Sequence, residues 1–254
     1  MSAAAEPRRR GRAFIILAAI LVVVAALAVV AELVARQLVP DAIRSAVVEQ
    51  LGLPADHPID VDVDGILLPQ LIAGSLADVR IASDAVTVGA FGGDVTAQFA
   101  DVPIRGDGAA ASGSAEVRMS TEQLRALLTT IDGFPAETIE LDAPNVTAST
   151  ELSLLGATID LGLVLEPSAA DGDLVLSPLE GNIAEARITA EQLRQQFGGL
   201  LEPVLQDRSV CVASSMPAAL TLQSIEVVGD ELVADFAIDG GIINDPALQE
   251  HGTC

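Results

Sequence analysis

The chain has 254 residues, half of them hydrophobic, and 36 acidic residues against 13 basic ones give a net charge of −23 at neutral pH. Such a balance excludes general nucleic-acid binding, which rests on Lys and Arg neutralising phosphates, and unspecific attraction to anionic headgroups. Trp and Tyr are absent and Phe occurs six times, so any interior must be almost wholly aliphatic.

Residues 13–31, AFIILAAILVVVAALAVVA, carry no charge and no strong helix breaker. As a helix they extend for about 28 Å, close to the thickness of a bilayer's hydrocarbon core. Arg8, Arg9, Arg10 and Arg12 precede the run and Glu32 closes it. Basic flanks stay in the cytoplasm. The expected topology is a basic cytoplasmic tail over 1–12, a transmembrane signal-anchor over 13–31 and an extracytoplasmic domain over 33–254. A cleaved signal peptide is the rival reading, because Ala26-Leu27-Ala28 has the form of a cleavage site. The run is longer than the usual apolar region of about 7–15 residues, which favours the anchor. No Cys follows closely, so a lipoprotein anchor is excluded. From Glu32 onward, nine Arg oppose 35 acidic residues.

Along the domain, 41–51 reads as a helix, with Ile43, Val47 and Leu51 at a spacing of four, Asp41 as cap, and Gly52 at the end. Pro40 is expected to separate or kink it from the preceding segment. Alternation predicts strands at 59–64, within 76–88 and within 93–104, and 105–114 reads as a glycine-rich turn region. Ser120 with Gln123 forms a capping box for a second helix, striped by Leu124, Leu127, Leu128 and Ile131. Strands are expected at about 137–149 and 151–166. Thr189 with Gln192 opens a third helix carrying Leu193, Phe197, Leu200, Leu201, Val204 and Leu205, weakened by Gly198-Gly199 and Pro203. A hairpin over 219–228 and 231–239 turns at Gly229-Asp230. The segments 117–128 and 186–197 share Arg, Glu, Gln, Leu and Arg at matching places, which suggests a repeated strand–helix unit.

The two cysteines are Cys211 and Cys254. In an exported domain an even pair is expected to form a disulfide. Asp60-x-Asp62-x-Asp64-Gly65 copies half of a calcium loop, but Leu71 stands where the bidentate Glu belongs and the alternating Val residues favour a solvated strand face. Two histidines, His57 and His251, are too few for a typical zinc site, so no metal is expected. There is no nucleophile elbow, phosphate loop or zinc-protease motif, so no catalytic residue is assigned and no cofactor is implied. Buried carboxylate pairs acting in a hydrolase, and a scaffold that binds a cell-wall protein, remain as alternatives.

From Leu33 to about Ile104 the sequence resembles the LmeA-like phospholipid-binding proteins of actinobacteria. A helix ends in Leu51-Gly52-Leu53 and an acidic alternating strand follows. Next come Gly65-Ile66-Leu67-Leu68-Pro69-Gln70-Leu71-Ile72-Ala73-Gly74 and Leu76-Ala77-Asp78-Val79-Arg80-Ile81. Where that family has aromatic residues, this chain has Ile66, Leu67 and Leu68. The resemblance implies an α+β fold similar to tubular lipid-binding domains, a long curved antiparallel β-sheet wrapped around amphipathic helices. It also implies a non-catalytic envelope protein that holds the acyl chains of a phospholipid in an apolar groove and supports lipid or lipoglycan assembly. The residues expected to line the groove are Ile43, Val47, Leu51, Leu67 and Leu68, with Arg80, Arg118 or Arg187 as candidate phosphate partners.

Overall fold

The computed structural model describes residues 8–88, 91–129, 135–154, 157–183, 186–197 and 205–253. Ile131, Phe134, Gly198, Gly199, Leu200, Leu201, Pro203, Val204 and Cys254 lie outside them, and of Leu51 and Phe197 only the backbone is described.

The apolar N-terminal segment and the first domain helix form one element, α1 (Arg8–Leu51), with Pro40 in its interior. The expected break at Pro40 does not occur. Proline removes one helical hydrogen bond and crowds the preceding turn. Here Ala35 and Val39 before it, and Ile43 after it, pack against the same apolar cluster, so tertiary contact holds both sides in one line. Asp41 is therefore no cap, and its carbonyl accepts the Ser45 hydroxyl at 2.8 Å. Gly52, at φ +62°, ends the helix as expected.

The domain is α+β, with two antiparallel sheets. The first contains β1 (Asp60–Val63), β2 (Ser75–Val88), β3 (Phe91–Pro103), β4 (Ser112–Ser120), β11 (Leu220–Val228) and β12 (Glu231–Ile238), in the order β1-β2-β3-β4-β12-β11. The second runs β10-β8-β7-β6-β5, where β5 is Glu140–Asp142, β6 Asn145–Leu154, β7 Ala157–Ala170, β8 Asp173–Ile183 and β10 Arg208–Val210; β9 (Ala186–Thr189) also pairs with β8. The strands expected at 137–149 and 151–166 are thus three, divided at Ala143-Pro144 and after Leu154. Short helices connect them, α2 (Leu67–Ala73), α3 (Thr121–Leu128) and α4 (Ala190–Phe197), and α5 (Pro246–Gln249) follows β12.

The main core lies between the sheets. Val117 and Met119 on β4 and Leu232, Ala234 and Phe236 on β12 face Leu161, Leu163 and Leu165 on β7 and Leu174 and Leu176 on β8. Alternation puts every second residue inward. On β11 the phase changes from Leu222 to Ile225 and Val227 across a register shift between Leu222 and Ser224, so both halves bury apolar side chains.

The repeated segments become two equivalent corners. Ser120 and Gln123 exchange capping hydrogen bonds at α3, as do Thr189 and Gln192 at α4. One turn later, Arg125 donates to the Ile139 carbonyl at 2.8 Å and Arg194 to the Leu205 carbonyl at 2.7 Å.

Candidate functional site: an aliphatic seam beside the N-terminal helix

A second, smaller apolar cluster sits apart from the main core. Ala35, Val39 and Ile43 repeat at intervals of four along one face of α1. They meet Val61 and Val63 of β1, Val79 and Ile81 of β2, Val102 of β3, and Leu67 and Leu71 of α2. All of these side chains are aliphatic. Ala35, Val63, Leu67, Leu76 and Val79 are buried, whereas Val39, Ile43, Val61, Leu71, Ile81 and Val102 are only partly covered. The seam is therefore an apolar surface that the chain itself does not finish covering.

Polar clamps hold both ends. At the end near the apolar segment, the Glu32 carboxylate accepts the N–H groups of Leu67 and Leu68 at 2.9 and 2.8 Å, and the Arg36 guanidinium at 2.9 Å. Those backbone donors are the orphan N–H groups that open α2. The N–H donors of Leu67 and Leu68, more than the cation of Arg36, hold the Glu32 carboxyl below its ordinary value. Arg36 also donates to the Gly65 carbonyl at 2.8 Å. Gln70 fixes α2 to the strands by donating to the Asp64 carbonyl at 2.7 Å and accepting the Ala77 N–H at 2.8 Å. At the other end, Arg44 donates to the His57 carbonyl at 2.9 Å. The Ser83 hydroxyl donates to the Pro58 carbonyl at 2.9 Å and lies 3.0 Å from His57 Nε2. Between Glu32 and Arg44 the helix rises about 18 Å, the scale of one acyl chain.

The expected groove residues are placed unequally. Ile43 lies on the seam, Val47 continues its helical stripe half-buried, and Leu67 is buried in the seam, 2 % exposed, where α2 begins. Leu68 is half-buried and meets Glu32 through its backbone. Arg80 lies between Val79 and Ile81, so the pleat turns it to the opposite face of β2, across from Asp62. Arg118 is held by Glu116 at 2.8 Å and Glu231 at 3.3 Å. Arg187 is exposed on β9, opposite Asn182. None of these three arginines stands with the aliphatic seam. Ala35 and Val39 were hidden from sequence reasoning because they follow a uniformly apolar run, where a stripe cannot be told from its background.

Asp60, Asp62 and Asp64 are exposed beside the inward Val61 and Val63. A polar cleft of about 410 Å³ opens between α3 and the β11–β12 turn, lined by Glu122, Arg125, Glu140 and Asp230 among others. Its three carboxylates are exposed, and no charged side chain is buried among the described residues.

The profile of the LmeA-like phospholipid-binding family matches residues 30–237. The chain belongs to that family. The match begins as the apolar segment ends and closes within β12, so this LmeA-like region takes in the seam and both sheets. No curated protein and no solved structure matches the chain. Membership supports a lipid-binding role in a family whose name describes phospholipid binding rather than catalysis.

Proposed function

We propose that this protein is a non-catalytic lipid carrier or lipid-handling factor of the cell envelope, tethered by α1 and holding acyl chains along the seam. The first half of α1 crosses the cytoplasmic membrane once, with the four N-terminal arginines inside and the β domain outside. The observation that carries the reading is the half-covered, wholly aliphatic seam in an LmeA-like chain. Its affinity comes from the tails, at about 0.8 kcal/mol for each CH₂ removed from water. The acidic domain provides no general field for an anionic headgroup. Support for lipid or lipoglycan assembly is the cellular role we assign to such binding.

Native mass spectrometry of the full chain, released from an actinobacterial membrane, tests this directly. Wild-type protein is expected to carry a discrete adduct that extraction identifies as phospholipid, and Ile43→Asn is expected to lose it while remaining folded. A bare wild-type mass that stays bare after incubation with phospholipid vesicles overturns the reading.

A further inference from the structure

The membrane-facing end of the domain carries a surface that lipid storage alone does not require. Outside α1, the large hydrophobic side chains exposed among the described residues are Ile66, Ile72, Ile104, Leu179 and Val228. Three of them gather at α2. Ile66, 62 % exposed, precedes the helix and Ile72, 73 % exposed, stands in its last turn. Ile104 donates its N–H to the carbonyl of Gly74, the residue that ends α2.

The height of this patch relative to a bilayer is fixed by α1. Glu32 is the first charged residue after the apolar run, and a carboxylate paired with a guanidinium belongs at the headgroup level, not in hydrocarbon. That same carboxylate holds the first two N–H groups of α2, so α2 sits at the depth where the membrane ends. Leu33 and Leu38, about 60 % exposed on the next turns of α1, are further apolar side chains at this level. Two arginines border it. Arg36 reaches the Gly65 carbonyl before α2, and Arg105 reaches the Leu71 carbonyl at 2.9 Å and lies against Gly74. Exposed aliphatics flanked by Arg stems match an interface where tails meet phosphates. Exposed Asp64 and Asp107 offset the arginines, so insertion of apolar side chains, not attraction to anionic lipid, supplies the binding.

We propose that α2 and Ile104 form a membrane-docking surface that rests in the outer leaflet of the bilayer α1 spans and presents the end of the seam to lipid there. This rests on the spanning topology above. It implies that a lipid passes between leaflet and seam without crossing bulk water.

The absence of Trp from the chain gives a clean optical test. Full-length Ile72→Trp, Ile20→Trp and Val228→Trp proteins are reconstituted in phosphatidylcholine vesicles whose lipids carry bromine at shallow or deep acyl positions. Ile20→Trp lies within the spanning run, and Val228→Trp stands on the sheet edge farthest from β1. The expected result is deep quenching of Ile20→Trp, shallow quenching of Ile72→Trp several-fold above that of Val228→Trp, and persistence of the latter difference in high salt. If Ile20→Trp is quenched and Ile72→Trp behaves like Val228→Trp, docking is overturned while spanning stands. A blue-shifted but unquenched Ile72→Trp overturns it in favour of a protein contact. An unquenched Ile20→Trp removes the spanning topology and docking with it.

Discussion

Glu32 joins three donors from two elements, the Leu67 and Leu68 amides and the Arg36 guanidinium. The ion pair with Arg36 adds little by itself, since the arginine is about half exposed. The backbone bonds matter more, and they hold the carboxyl below its ordinary 4.5. A carboxyl with a depressed folded-state value contributes stability that is present above the unfolded value and is lost as pH falls through the folded one. Glu32→Gln is therefore expected to melt below wild type at neutral pH, with the gap closing as the solution is acidified past 4.5 and vanishing at lower pH. A gap in Tm that stays constant with pH would remove the charge from the argument. A second residue-scale expectation concerns Cys211. The Gly252 N–H donates to the Met216 carbonyl at 3.0 Å, and Gly252 packs against Ala213. Cys254, the second partner of the disulfide expected from the sequence, lies outside the described residues, and the pairing stands as an expectation to be tested. Alkylation without reductant should leave the intact mass unchanged, and Cys211→Ser should lower stability by about 3–4 kcal/mol. Ready alkylation of both thiols in the untreated protein would refute the pairing.

At the scale of elements, the corners at α3 and α4 show what local chemistry specifies. The leucines were legible in the two repeated segments because their spacing is helical, and the hydroxyl caps and returning glutamines because each partner lies three residues away. The Gly229-Asp230 hairpin was legible for the same reason. Other elements were not. The stretch around α2 is apolar without a helical period and contains Pro69, and it becomes a helix because Glu32, some 35 residues earlier, caps it. β8 was missed because Pro178 and Gly181 interrupt its alternation, and the division into two sheets depends on β4 pairing with β12, more than a hundred residues away. Gly181 has a packing reason. A Cβ there would lie 2.5 Å from Cδ1 of the fully buried Leu193 and 3.3 Å from Cδ1 of Leu161. Gly181→Ala should push α4 off the sheet and cost about 1–3 kcal/mol in a denaturant titration. In a Leu193→Ala background the same substitution should cost much less, because the two sites share one contact. Equal costs in both backgrounds would place the strain elsewhere.

For the molecule as a whole, the separation of two apolar clusters has a thermodynamic consequence. The main core draws on strands of both sheets and on α3 and α4, and includes no residue of α1. The seam draws on α1, α2, β1 and one end of β2 and β3. β1 pairs with β2 alone, over four residues, so the seam is joined to the rest largely through β2 and β3. Val95, Ala97 and Phe99 of β3 lean on the main core while Val102 reaches the seam, which makes this strand the link between them. A unit with few connections of this kind opens at lower free energy than the global transition. In hydrogen exchange, amides of β1, α2 and the half of α1 after Glu32 are expected to exchange through a partial opening, while those of β4, β7, β8, β11 and β12 wait for global unfolding. A ligand bound to the closed form alone stabilises it by RT ln(1 + [L]/Kd). Phospholipid held in the seam should therefore slow the first group and leave the second unchanged until the two openings approach one another in free energy. Equal slowing of both groups from the first addition would mean that the lipid binds across the main core, and slowing of the second group alone would move the site out of the seam altogether.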